Sequence, residues 1–152
     1  MPTTIDKVDD LHGLLGQLLE PSDWIEITQD RINTFADASD DHQWIHVDVE
    51  RATTESPFGG PIAHGYLTLS LLSTMFEQIL NVRGASMAVN YGLNKVRFPA
   101  PVPVGSKVRL VVEVAAVEDV TGGVQVILQA TVHCSAGDKP ACVAEPVYRY
   151  YH

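Results

Sequence analysis

Cysteine, positive charge and long uninterrupted apolar runs are all scarce in this chain, and each shortage excludes a class of protein. Two cysteines are too few for the disulfide framework of a small secreted domain. Ten lysines and arginines against 19 aspartates and glutamates give a net charge of −9, which argues against general affinity for nucleic acid or anionic membranes. The most apolar region, 66–80, is broken by polar side chains and predicts no membrane span. No secretory signal is visible, so we expect a cytoplasmic protein.

The two cysteines, Cys134 and Cys142, flank a predicted hairpin turn at 136–140. They are therefore candidates for cross-strand neighbours. Because no secretion signal is present, we expect two reduced, partly buried thiols with no catalytic role.

The rest of the composition is that of an ordinary globular chain. Its 152 residues are 45% hydrophobic and 19% charged, enough for one buried core. We therefore expect a single domain over residues 1–152, with no repeat and no linker.

Apolar spacing predicts three helices in the first half of the chain. Leucines and other apolar residues recur at three- and four-residue intervals over 5–19, and a second helix is expected to follow Thr28 as far as Ala38. The strongest prediction is a long, buried helix over 65–80, apolar around most of its circumference. Between the last two lies a polar, irregular stretch, 39–61, with one helical turn near 48–53.

The remaining segments predict strands. Apolar and polar residues alternate over 108–116 and 124–132, a short strand is expected at 24–28, and 142–151 forms a further run. Over 87–98 the alternation slips, which makes Gly92 a bulge site, and Pro146 indicates an edge strand or a bulge. These elements predict an α+β fold, with a curved antiparallel sheet wrapped around the 65–80 helix. Such a sheet leaves an exposed edge, so we expect a homodimer.

A carboxylate and an imidazole lie close together in the polar stretch. Asp41 and His46 are five residues apart, and a loop that doubles back would aim both side chains at one point. Such a pair can hold one water and supply both halves of general acid–base catalysis. The alternative is a solvated acidic loop with a capping Asp and a surface His.

Gly65 stands at the start of the predicted long helix. A glycine there lets a ligand approach the free N–H groups of the first helical turn. These groups stabilise negative charge, such as the charge on the oxygen of a thioester that becomes an enolate. The alternative is a glycine required only for a tight turn. Together with the Asp–His pair, this position favours addition of water across an activated double bond.

Three segments resemble one known family. Residues 39–46 (Ser-Asp-Asp-His-Gln-Trp-Ile-His), 61–65 (Pro-Ile-Ala-His-Gly) and 90–102 are similar to the hydratase motif and following strand of MaoC-like, (R)-specific enoyl-CoA hydratases. The resemblance covers most of residues 24–135 and implies a hot-dog fold.

The resemblance also implies roles for individual residues. The family pattern Ser-Gly-Asp-x-Asn-Pro-aliphatic-His aligns Asp41 and His46 with the catalytic pair, and Gln43 with an Asn that helps to orient the site. Asp40 replaces the glycine and Trp44 the proline, so Asp40 stays a second candidate acid.

Gly65 matches the residue whose N–H binds the thioester oxygen, and Ser70 matches a polar residue near the pocket. His64 is either structural or part of the site. Lys95 and Arg97 either meet the phosphate end of coenzyme A or are solvated.

The function that these residues imply is reversible hydration of trans-2-enoyl-CoA to (3R)-3-hydroxyacyl-CoA. No metal or other cofactor is expected, since coenzyme A is part of the substrate. Three alternatives stay open: a 3-hydroxyacyl-ACP dehydratase, a hot-dog acyl-CoA thioesterase and a non-catalytic acyl-binding subunit. The sequence leaves undecided which of Asp41 and His46 is the base.

Overall fold

The sheet is the framework of the molecule. The computed structural model describes all residues, 1–152, and contains one five-stranded antiparallel sheet in the order β2-β5-β6-β7-β4. Its strands are β2 (Ile25–Glu26), β4 (Met87–Arg97), β5 (Lys107–Val120), β6 (Gly123–Cys134) and β7 (Cys142–Tyr151). A separate parallel pair joins β1 (Thr3–Ile5) to β3 (Leu80–Val82).

Alternation along the long strands builds the core. Every second residue of β5 and β6 is buried, from Val108 to Val114 and from Val124 to Cys134, as the sequence predicts. These side chains join the helices in one hydrophobic cluster of 30 buried residues. The antiparallel sheet wrapped around helices confirms the α+β, hot-dog expectation.

Five short helices lie between β2 and β3 in the chain. They are α1 (Gln29–Ser39), α2 (Trp44–Val47), α3 (Val49–Glu55), α4 (Gly65–Ser70) and α5 (Leu72–Glu77). Of these, α1, α4 and α5 contribute side chains to the core beside the sheet. The Thr28 side chain accepts a hydrogen bond from the Arg31 N–H at 3.1 Å and caps α1, as the sequence predicts. The polar stretch 39–61 is more regular than expected, because α2 and α3 occupy much of it.

The central helix differs from its prediction in continuity and length. It is two segments, α4 and α5, separated at Leu71, and residues 80–82 are strand rather than helix. The Ser70 hydroxyl donates to the Leu67 carbonyl at 2.7 Å, a local bond that competes with regular helix geometry. The helix is also less enclosed than predicted, since Tyr66 is 71% exposed.

The helix predicted over 5–19 was wrong. The segment forms β1, a 3₁₀ helix at Val8–Leu14, and then extended chain that hydrogen-bonds along β5. Gly16 has a φ of 79°, a left-handed conformation that a continuing helix does not permit. The apolar residues at three-residue spacing are buried, but in a 3₁₀ helix that is followed by extended chain instead of in an α-helix.

Two strand predictions are refined by the observed register. The pairing of β4 with β7 shifts between Asn90 and Gly92, which confirms the bulge there. Pro146 was predicted on an edge strand or at a bulge. The edge alternative was wrong, since β7 lies between β6 and β4, and Pro146 pairs with Leu93 beside a second irregularity.

The cysteines are near one another but are not directly opposed. Cys134 pairs with Val108 and Cys142 with Val132, and both are buried free thiols. Burial raises the pKa of the Cys142 thiol to about 11, so this thiol is unreactive at neutral pH. None of the helices is long and apolar enough to cross a membrane.

Candidate functional site

A left-handed turn at the end of α1 places the Asp41 carboxylate. Asp40 has a φ of 60°, the one non-glycine residue with positive φ, and it reverses the chain direction after Ser39. The Asp41 carboxylate then accepts a hydrogen bond from the Gln43 N–H at 3.3 Å. This local bond holds the loop in a tight turn before α2 begins.

His46 is fixed through both its ring and its backbone. It is 6% exposed, and its Nδ1 lies 2.6 Å from the Ile62 carbonyl oxygen. Because a carbonyl only accepts, Nδ1 carries the proton and Nε2 is left with a free lone pair. Gln29 of α1 donates from Nε2 to the His46 carbonyl at 2.8 Å, so three segments meet at this residue.

His64 completes a three-residue cluster. Its ring stacks on the His46 ring with centroids 3.9 Å apart and an interplanar angle of 25°, and Phe35 packs on it at 4.9 Å. Donor atoms of Asp41, His46 and His64 all lie within 4.8 Å of one another. The fold therefore brings the predicted acid and imidazole together, with a second imidazole beside them.

Burial makes the His46 imidazole neutral. Desolvation is the largest influence and lowers its pKa from 6.5, and neighbouring His64 lowers it further. The Ile62 carbonyl and the Asp41 carboxylate act in the opposite direction but do not outweigh burial. At neutral pH the ring is therefore a base with one free nitrogen.

Gly65 opens α4 next to the cluster and lines an apolar cavity. The cavity has a volume of about 340 Å³, and Ile62, Thr68 and Phe98 are among its other walls. The Gly65 N–H donates to no protein carbonyl, as expected at a helix start. A Cβ on Gly65 would lie 3.2 Å from the Phe98 ring, so a tight contact with that side chain, not a positive φ, favours glycine here.

The remaining predicted residues are divided between this site and other surfaces. Asp40 is exposed and lies outside the Asp41–His46–His64 cluster. The Gln43 side chain makes no hydrogen bond to the protein. Gln43 contributes through its backbone N–H, which donates to the Asp41 carboxylate. Ser70 lines two other cavities, one between the α4–α5 helices and β4 and β7 and one against α1, and is absent from the cavity beside Gly65.

Lys95 and Arg97 are exposed on β4 and lie apart from the Gly65 cavity. They line a small hollow of about 100 Å³ with Gln129 and Glu145, and that hollow shares no residue with the larger cavity. Arg97 donates to the neighbouring Val96 carbonyl at 2.7 Å. Their contact with the phosphate end of coenzyme A stays a prediction.

The cluster also has the composition of a metal site. Two imidazoles and a carboxylate are ligands that divalent transition metals accept. One nitrogen of each ring already donates to a backbone carbonyl, which leaves one nitrogen per ring for any other partner. The expectation of no metal stays a prediction.

Four contributors to the site were missed from the sequence. Gln29 and Ile62 act through the hydrogen bonds that hold His46, whereas Thr68 and Phe98 form the walls beside Gly65. Thr68 lies one helical turn after Gly65, a spacing that could have indicated it. Ile62 and Phe98 stand in the two later segments that resemble the family, but their roles depend on contacts between distant segments, and Gln29 leaves no sequence signal.

Comparison with known proteins gives consistent matches over most of the chain. Residues 11–134 match the family described as MaoC like domain. The chain is 53% identical over 148 residues to a 3-hydroxyacyl-thioester dehydratase Z of Mycobacterium tuberculosis, and the match covers 97% of each protein.

Solved structures agree with these sequence matches. A monoamine oxidase regulatory protein from Archaeoglobus fulgidus superimposes with a TM-score of 0.80 at 25% identity, covering 99% of this chain and 97% of that one. An (R)-hydratase from A. caviae involved in PHA biosynthesis gives 0.71 at 26% identity, covering 87% and 95%. The hot-dog architecture is thereby confirmed.

The pKa values of two neighbouring histidines should move in opposite directions. We expect His46 to titrate below 6.5, because burial outweighs its partners, and exposed His42 to titrate above it, because its ring bonds the Asp37 carboxylate at 2.9 Å. NMR titration of the imidazole protons measures both in one sample. A pKa of His46 equal to or above that of His42 would contradict the neutral, buried base.

Proposed function

Because this chain belongs to the MaoC-like dehydratase family, we propose that it is an (R)-specific hydro-lyase that adds water to trans-2-enoyl-CoA and removes it from (3R)-3-hydroxyacyl-CoA. One observation carries the proposal. A carboxylate and a neutral imidazole lie within 4.8 Å of each other, and Gly65, the residue after His64 of the same cluster, borders an apolar cavity that the pair itself does not line. These are the parts that hydration of a thioester-activated alkene requires.

The reaction begins with one water held between Asp41 and His46. As the water oxygen bonds to C3, the free Nε2 of His46 accepts its proton, and the electrons of the double bond move onto the thioester to form an enolate. The enolate then collapses and a proton returns from the Asp41–His46 pair to C2. One water is consumed and the pair ends in its starting protonation state, so the two residues share the proton as a coupled unit.

The Gly65 N–H stabilises the enolate oxygen in this scheme. It is a free backbone donor at a helix start, where the dipole favours negative charge. Donors fixed before the reaction cost no reorganisation when charge develops, which makes them a large catalytic contribution. The acyl chain occupies the cavity bounded by Ile62, Thr68 and Phe98.

The similar proteins support both directions of this reaction. The Mycobacterium tuberculosis relative is called a dehydratase of 3-hydroxyacyl thioesters, and the A. caviae structure is called an (R)-hydratase. Neither name states the carrier used by this chain. A 3-hydroxyacyl-ACP dehydratase therefore stays the second candidate, and comparing rates on CoA and ACP thioesters separates the two.

Replacement of either member of the pair should abolish most of the activity. We expect Asp41→Asn and His46→Gln each to lower kcat for crotonyl-CoA hydration by about 10²–10⁴-fold, the usual loss of a general acid–base group. The assay follows loss of enoyl-thioester absorbance in the presence of a chelator, because no metal is required by the scheme.

Asp40→Asn is the matched control, since it removes the adjacent carboxylate and asparagine tolerates the left-handed backbone at that position. It should keep near-parental activity. Near-parental hydration by Asp41→Asn or by His46→Gln would contradict the assignment. Release of free thiol from acyl-CoA, detected colorimetrically, would instead favour the thioesterase alternative, and binding without turnover an acyl-binding subunit.

The free edge of the sheet supports a homodimer as the working unit. β4 is an 11-residue edge strand that carries Met87, Tyr91 and Leu93 on exposed positions. An apolar edge of this length invites pairing with another chain, and a second copy would cover it. A cytoplasmic location stays a prediction.

The dimer predicts a solution mass of twice the chain mass of 16.6 kDa. Light scattering coupled to size exclusion measures it directly. We also expect β4 amides to lose protection from hydrogen exchange on dilution, whereas those of central strand β6 should not. A single-chain mass at all protein concentrations would contradict the dimer.

A further inference from the structure

The second imidazole of the cluster contacts both catalytic residues at once. His64 Nε2 lies 2.9 Å from the Asp41 carbonyl oxygen, and the face of the same ring stacks on His46. His64 is also the N-cap residue of α4, and its carbonyl accepts hydrogen bonds from the N–H groups of Leu67 and Thr68. A single side chain thus joins the acid loop, the base and the start of the helix at Gly65.

The protonation of His64 follows from these contacts. A carbonyl only accepts, so Nε2 carries the proton and Nδ1 is bare. His64 is 2% exposed, and its Nδ1 is buried without any protein partner. An unsatisfied buried acceptor is costly, and a phenyl ring of similar shape would avoid that cost. Packing alone therefore does not explain a histidine at this position.

We propose that His64, in its Nε2–H form, is a positioning residue that holds Asp41 and His46 at the separation needed to share one water. The inference rests on the proposed hydratase function. The Nε2–H bond fixes the backbone of Asp41, and the stacked ring fixes the plane of His46. Neither contact involves substrate, so His64 acts through the other two residues.

The electrostatic surroundings of His46 agree with this role. The titratable groups that act on it are Asp41, from the loop after α1, and His64, from the segment before α4. Helix α1 contacts His46 through the side-chain amide of Gln29, which carries no charge. Because a protonated His64 repels the charged form of His46 and so lowers its pKa, removal of the His64 imidazole should raise that pKa.

Two substitutions separate the two contacts. His64→Phe keeps a stacking ring but loses the bond to Asp41, and His64→Gln keeps an amide donor but loses the ring. We expect each to lower kcat for crotonyl-CoA hydration by about 100-fold with KM little changed, since small displacements of catalytic groups have effects of this size. The acid limb of the pH profile of kcat/KM should move to higher pH in both. His42→Phe, at an exposed histidine of the same loop, is the control and should change none of these quantities.

A double-mutant cycle tests whether His64 acts through His46. In the His46→Gln background, His64→Phe should cause little further loss. Fully additive losses, or a rise in KM alone, would overturn the positioning role. So would a His64→Phe protein that is less stable to heat but keeps parental kcat per folded molecule, which is the result of a merely structural ring.

NMR provides a readout that does not depend on turnover. In the parental protein, ¹⁵N shifts should show His64 as the Nε2–H tautomer, and titration of the folded variants should show a raised His46 pKa. If the parental protein fails to hydrate crotonyl-CoA while these NMR results hold, the proposed function fails and the positioning geometry stands. An Nδ1–H tautomer for His64 would overturn the inference even with an active enzyme.

Discussion

The hydrogen bond from the His46 ring to the Ile62 carbonyl is the contact on which the rest of the site depends. It joins the short helix α2 to the segment that leads into α4, and it decides which imidazole nitrogen is free. The Ile62 N–H in turn donates to the Ile45 carbonyl at 3.1 Å, so two hydrogen bonds connect the same two segments. Since Gly65 lies three residues after Ile62, the same contact sets the distance between the base and the helix start.

On one side of that contact the helices α4 and α5 are buried against the sheet, and on the other side the Asp41 loop is exposed to solvent. The core against the sheet fixes α4 and α5 through Leu67, Leu72 and Met75, all nearly inaccessible to solvent. The Asp41 carboxylate lies on an exposed loop, which follows the left-handed residue Asp40. A neutral imidazole and a solvated carboxylate can therefore coexist within a few ångströms, because the environment of each differs. The buried, unpaired nitrogen of His64 is a cost that a purely structural ring would not carry.

Local patterns predicted much of the fold. The Thr28 cap and the alternating strands of β5 and β6 depend on nearest neighbours in sequence, and both were right. The helix over 5–19 was wrong because Gly16 takes a left-handed conformation and the following chain pairs with β5. Apolar spacing could not distinguish these outcomes, since Leu11 and Leu14 are buried in the 3₁₀ turn as they would be in a helix, whereas the exposure of Leu15 and Leu18 follows from the extended chain after Gly16. The edge-strand interpretation of Pro146 failed because strand order is a long-range property.

The site was predictable to a similar extent. Asp41 and His46 lie within one short motif, so their proximity could be inferred from spacing and resemblance. The part played by His64 could not, because it depends on contacts across 23 residues to Asp41 and on a stacked ring. Ser70 shows the opposite case: its position along the helix matched, but it lines other cavities and not the one beside Gly65.

Stereochemistry provides the most direct test of the shared water. If one water between Asp41 and His46 supplies both the hydroxyl and the proton, both must reach the same face of the double bond. Hydration of crotonyl-CoA in D₂O, with the product analysed by proton NMR, reports this directly. We expect (3R)-3-hydroxybutyryl-CoA with deuterium added at C2 on the same face as the hydroxyl. Addition from opposite faces would contradict a single water held by one pair of residues.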